Sequence, residues 1–166
     1  MVLRPFDVLQ FPQDTRAAIE HERRAFLRLR PRTSAYQTAP ITEAFNWEEA
    51  LADIESGEWY LVVFRSVRRR DADEENLTEF DDEAYAEALA TGGLLCYFAG
   101  DLDAERNCVS FCVWRSREEA QQSARLPRHA AAAKLAPSTY EWYVLERYTI
   151  RKIPGVQRII FEPLDS

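Results

Sequence analysis

The chain of 166 residues is poor in glycine, with five, and in histidine, with two; it has three cysteines. Five glycines, none arranged as Gly-x-Gly-x-x-Gly or in a Walker loop, leave no turn that cradles phosphate, so a nucleotide cofactor is not expected. The paired glycines of "ATGG", residues 90–93, read as a helix stop. An odd number of cysteines gives no disulfide frame and suits free thiols in a reducing, cytoplasmic setting. A metal site fails on spacing. Cys108 and Cys112 lie about 13 Å apart along one strand at ~3.3 Å per residue, whereas thiolates sharing zinc each sit about 2.3 Å from it. Cys96 can approach only one of them across a hairpin. There is no Gly-x-Ser-x-Gly elbow and no family signature around a cysteine, so nucleophilic hydrolysis has no support.

Long apolar runs are also missing. No stretch approaches the roughly 20 residues that cross a bilayer, and the opening "MVLRPFDVLQFPQD" has no apolar leader core. Basic residues are in the minority, 21 against 28 acidic, for a formal charge of −7. Nucleic acid is therefore not an expected partner, because its affinity rests on clustered Lys and Arg. The runs Arg28-Leu29-Arg30-Pro31-Arg32 and Arg68-Arg69-Arg70 read as solvated faces; Asp71, Asp73, Glu74 and Glu75 follow the second.

What the chain does have is apolar and aromatic surface: 46% hydrophobic residues, among them four Trp, seven Tyr and nine Phe. That composition and length suit one globular domain over 1–166. An N-terminal arm, 1–57, comes first. "FDVLQF" reads as a short strand, Asp14 as the cap of a helix through Leu29, and "FNWEEALADIESG" as a helix capped by Asn46 and closed by Gly57.

Residues 58–152 then alternate. "WYLVVFRSVRR" is a strand by its β-branched and aromatic content. An acidic loop, 71–79, leads to a helix from Asp81 that Gly92 stops. "LLCYFAGDL" and "NCVSFCVWRS" make a hairpin around residues 103–106. Ser116 with Glu119 forms a capping box for the second helix, which breaks at Leu126-Pro127, resumes through Lys134 and ends at Pro137. "EWYVLERYTIRK" is the fourth strand, and 153–166 make an extended C-terminal arm. A β-α-β-β-α-β order is the ferredoxin-like arrangement, an α+β fold with two helices on one face of an antiparallel sheet. Strand 1 is apolar on both sides at its start, so the other face needs a cover. A second sheet, from the arm or from another copy, would supply it, and a homodimer is the economical expectation.

The strand–Trp–Arg–Ser–helix junction "VWRSREEA", 113–120, followed by His129 on the same helix, resembles the dimeric α/β-barrel superfamily, which includes cofactor-free antibiotic-biosynthesis monooxygenases. "FNW" at 45–47, "FRSVRR" at 64–69, "LPRH" at 126–129 and "YEWYVLERY" at 140–148 resemble more closely a little-studied fungal family. To that family a pericyclase of polyketide-type secondary metabolism has been assigned. The resemblance implies the fold and a class of chemistry and transfers no catalytic position.

Three functions follow as expectations. The first is a cofactor-free cyclase for a hydrophobic, polyunsaturated small molecule, of Diels–Alder or hetero-Diels–Alder type, which needs a shaped apolar cavity and one or two hydrogen-bond donors rather than a nucleophile or metal. The second is a non-catalytic binding protein, and the third a cofactor-independent monooxygenase on an aromatic polyketide. Candidate site residues combine apolar bulk with a polar tip. His129, Tyr97 and Arg147 are the catalytic candidates, and Trp114, Tyr143, Ser110 and Phe64 the substrate-binding ones. A slip of one residue on strand 4 would substitute Trp142, Glu146 and Tyr148. His129 also reads as a surface histidine beside Arg128, and the aromatics as plain core. The carboxylate pairs, Asp81-Asp82 among them, read as helix-start and turn residues.

Overall fold

The computed structural model describes residues 13–165. Three helices lead: α1 (Gln13–Phe26), α2 (Ile41–Ala44) and α3 (Trp47–Ala50). Strand β1 (Gly57–Arg68), helix α4 (Glu74–Ala90), and strands β2 (Leu94–Ala99) and β3 (Asn107–Trp114) follow. Then come α5 (Arg117–Ala124), α6 (Pro127–Ala133), α7 (Ala136–Thr139), β4 (Tyr140–Lys152) and β5 (Ile160–Pro163). The five strands form one antiparallel sheet in the order β2-β3-β1-β4-β5. Both crossovers, β1 to β2 and β3 to β4, are helical, and the strand order within β1–β4 is that of the ferredoxin-like α+β fold.

Side-chain alternation divides the sheet into two differently covered faces. Tyr60 and Trp114 pack with Ala88 of α4 and Ala120 of α5, joined by Val62, Tyr97 and Cys112. Trp59, Leu61, Val63, Val109, Phe111 and Ile150 point the other way. They meet Ile19, Phe26, Ile41, Phe45, Trp47 and Leu51 of the arm. The face left without a cover in the sequence reading is thus covered by helices of the same chain, and the need for a second sheet disappears. Phe45 centres this layer, with edge contacts to Phe98 and Phe111, each at 4.9 Å.

Charged tethers fix the arm to the sheet. Arg65 pairs with Glu146 and donates to the carbonyls of Gln37 (3.1 Å) and Ala39 (2.8 Å). Buried Lys152 donates to the carbonyl of Leu51. Charged side chains are tolerated there because each finds a partner.

Several boundaries differ from the sequence reading. "FDVLQF" lies outside the described residues. Helix α1 ends at Phe26, not Leu29, and Asp14 lies within it. "FNWEEALADIESG" makes one helical turn, because Asn46 spends its side chain elsewhere: Oδ1 accepts from the Arg30 amide at 2.7 Å and Nδ2 donates to the Arg28 carbonyl at 3.3 Å. The acidic stretch 74–79 is helix rather than loop, since Asp73 caps α4 by accepting from the Asn76 amide at 3.0 Å. Ser116 does accept from the Glu119 amide, and the break at Pro127 separates α5 from α6. Pro137 opens the short α7 instead of ending a helix. The C-terminal arm forms β5 along the outer side of β4.

Candidate functional site

The cap at Asp73 moves Asp81 from a helix start to the middle of α4. Leu77, Asp81, Ala84, Tyr85 and Ala88 then share the helix face turned to the sheet, and Ala84 and Ala88 are buried. On that stripe Asp81 meets Tyr97 of β2, whose hydroxyl lies 3.1 Å and 3.0 Å from the two carboxylate oxygens and donates to them. Burial, and after it the neighbouring Asp82, push the Asp81 carboxyl above its ordinary value, while the hydrogen bond from Tyr97 and the nearby Arg68 pull against that shift. Burial, and then the charge of Asp81, hold the Tyr97 phenol far above its usual range. The phenol keeps its proton, so the carboxyl is the group of the pair that can exchange one. The three thiols are different: burial raises Cys96 to about 12 and Cys112 to about 11, which removes them as thiolates at neutral pH.

Beside the pair, the sheet carries an aromatic shelf. Phe64 stacks on Tyr143 with centroids 5.4 Å apart and meets the edge of Tyr140 at 5.0 Å. Tyr140 reaches this face because the β1–β4 register shifts between Val67 and Arg68. Its phenol is raised by burial, with Asp81 among the charges acting on it. Ser66 follows Phe64 two residues on, opposite Cys108 and Tyr143. Its Oγ and the Arg68 Nε are buried without a hydrogen-bond partner in the described chain. Buried donors of this kind ordinarily have one.

The register places most of the expected residues on one face. Ser110 opposes Phe64, Trp114 opposes Tyr60, Cys112 opposes both Tyr97 and Val62, and Arg147 opposes Val62. Tyr97 meets Asp81, while Phe64 and Tyr143 join Tyr140 on the shelf. Trp114 belongs to the inner layer with Tyr60 and Leu94, where its indole donates to Cys112 Sγ at 3.0 Å. Arg147 is partly exposed and lies one strand beyond Val62. His129 stands exposed on α6, its backbone amide held by Glu87 at 3.3 Å. The alternative set faces the arm, where Glu146 is engaged by Arg65 and Tyr148.

Tyr60, Leu94 and Trp114 occupy the inner layer. Among the described residues, a cleft of about 360 Å³ opens at the Trp59 end of β1, lined by Glu22, Glu58, Trp59, Arg115, Ser116 and Glu119. Asp81 is the residue that the sequence reading missed. Its signal was a carboxylate four residues before Tyr85 and seven before Ala88, on the apolar stripe of an amphipathic helix.

Comparison with known proteins follows the fold. Rv0793 from Mycobacterium tuberculosis aligns with a TM-score of 0.47 and 17% identity over 65% of this chain and 97% of its own. A Nitrosomonas europaea protein provisionally named an antibiotic biosynthesis monooxygenase gives 0.47 and 12% over 54% of this chain and 95% of its own. A dimeric Bacteroides fragilis protein of ferredoxin-like fold and unknown function gives 0.43 and 18% over 54% and 94%. In sequence, the UPF0643 protein PB2B2.08 of Schizosaccharomyces pombe is 30% identical over 111 residues, 63% of this chain. The chain spans about half the length of that curated relative, 50% of it. The PB2B2.08-like family model matches residues 7–163, nearly end to end, and the chain belongs to that family.

Proposed function

We propose that the protein is a cofactor-free cyclase acting on a hydrophobic, polyunsaturated carbonyl compound, of the Diels–Alder or hetero-Diels–Alder type. The observation that carries the reading is the Asp81–Tyr97 pair, a desolvated carboxyl with raised proton affinity set beside the Phe64, Tyr140 and Tyr143 shelf. In its protonated form Asp81 donates to the carbonyl oxygen and withdraws electron density from the conjugated system. Tyr97 orients that carboxyl. The rings hold the unsaturated chain folded, which lowers the entropic part of the barrier. New σ bonds form from the substrate's own π electrons, so product and substrate are isomers and no co-reactant is consumed. The donor acts best while Asp81 is protonated, and turnover should fall as pH rises through its raised pKa.

The test is conversion of a linear triene bearing an α,β-unsaturated ketone, followed by chromatography and mass measurement with an oxygen electrode. The expected result is a cyclic product of unchanged mass without oxygen uptake. Asp81→Leu should lower turnover on the order of a hundredfold with the fold retained, as loss of a transition-state donor does. A product heavier by one oxygen, with oxygen consumed, would replace this reading by a monooxygenase. Binding without conversion would make the chain a binding protein, and full turnover in Asp81→Leu would remove Asp81 from the site.

A further inference from the structure

Strand β4 has two halves. Its Tyr148–Arg151 stretch is covered by β5, and the sheet ends there. Before that stretch no strand among the described residues pairs with its outer edge. The Arg147 carbonyl points outward, since it accepts from the Leu164 amide at 2.8 Å. Backbone groups two residues apart in a strand point the same way, so those of Leu145 and Tyr143 point outward too. The same stretch is apolar on both faces and bare: Trp142 is 51% exposed, Tyr143 50%, Val144 44% and Leu145 38%. A bare, apolar, unpaired edge is a template for another strand.

The charges of β4 indicate which strand. Glu146 pairs with Arg65, Arg151 with Glu58 and Glu162, and Lys152 binds carbonyls of the arm. Glu141 and Arg147, which bracket the bare stretch, have no ion-pair partner among the described residues. We infer that this edge pairs antiparallel with the same edge of a second copy, about a two-fold axis at Tyr143. That register sets Tyr143 against Tyr143 and Leu145 against Glu141. It brings Glu141 of each copy diagonally next to Arg147 of the other, a spacing of roughly 7–8 Å that long side chains span. Residues that satisfy each other only after inversion are what an isologous interface requires. The β1–β4 register shift between Trp142 and Tyr140 puts the far end of this ladder at Glu141, which limits pairing to a short segment. Tyr143 and Leu145 of the second copy then continue the shelf formed by Phe64, Tyr140 and Tyr143. This last consequence rests on the proposed function; the assembly does not.

Sedimentation velocity at micromolar concentration tests it without reference to turnover. The wild type should be a dimer. Glu141→Arg or Arg147→Glu should each raise the dissociation constant on the order of tenfold or more, because each change sets two like-charged pairs together, and combining them should restore the dimer. Tyr143→Pro, which removes an outward N–H and spares the ladder to β1, should give a folded monomer by circular dichroism. A monomeric wild type, or single charge reversals that leave the dimer intact, would overturn the inference. A dimer without any cyclase activity would sink only the proposed function.

Discussion

Removing one oxygen atom, in Tyr97→Phe, isolates the central interaction of the site. In the wild type the Tyr97 hydroxyl is the hydrogen-bond donor to a carboxylate that burial already disfavours and that makes no ion pair with Arg68. Hydrogen bonds to charged groups contribute about 1.5–3 kcal/mol, and the group left behind stays desolvated. For a chain of this size each kcal/mol moves Tm by about 2–4 °C, so the variant should melt roughly 3–12 °C lower at neutral pH. The pH dependence has a definite sign. The folded pKa of Asp81 is raised, so stability attached to its neutral form is present at low pH and lost as pH rises through that pKa. Tyr97 lowers the pKa by stabilising the ion, so without it the folded pKa rises further and the variant goes on losing stability to a higher pH than the wild type. The stability gap should be widest where Asp81 is ionised and should narrow as the solution is acidified. Thermal melts of both proteins from pH 4 to 8 measure it. A gap of zero at neutral pH, or one that widens on acidification, would refute the account.

Three further outcomes follow from the same geometry. Arg65→Met should cost about 3–5 kcal/mol, since it strands the Glu146 carboxylate and two arm carbonyls together; chemical denaturation would show it as a lowered midpoint. Gly57→Ala should destabilise by about 1–3 kcal/mol, because an added Cβ would lie 2.2 Å from the Trp59 ring and must displace it; loss of near-ultraviolet dichroism from the indole is the accompanying signature. His129→Ala should leave melting temperature unchanged and turnover within about twofold, because the imidazole is exposed and outside the acid pair; a large drop in rate would return His129 to the site.

Strand composition was enough to read the order of the ferredoxin-like unit, and period-two alternation grouped Tyr97 with Ser110, but the strand-4 face stayed open between Tyr143 with Arg147 and Trp142 with Glu146 and Tyr148 until the pairing with β1 put the first set beside Phe64. These features survive because register is enforced by burial on both sides of β1. The arm was less legible. Asn46 has the residue type of a helix cap but satisfies the backbone at Arg28 and Arg30, a choice made by tertiary packing. Asp81 was lost through a boundary error. Asp73, Glu74 and Glu75 look like loop in a string of acids, yet one caps the helix and the others favour its positive end. Moving the start seven residues upstream turns a supposed first-turn carboxylate into an inward-facing one.

The tether from Lys152 to Leu51 joins positions 101 residues apart, the arm and the last long strand. A ribosome releases the arm long before the strand that holds it. Phe45 therefore waits, wetted, until Phe98 and Phe111 follow, and Trp47 until Phe161 does, so native assembly is completed as a long-range event. A stalled or prematurely terminated nascent polypeptide lacking β4 should behave as a chaperone client, whereas the finished one closes upon itself.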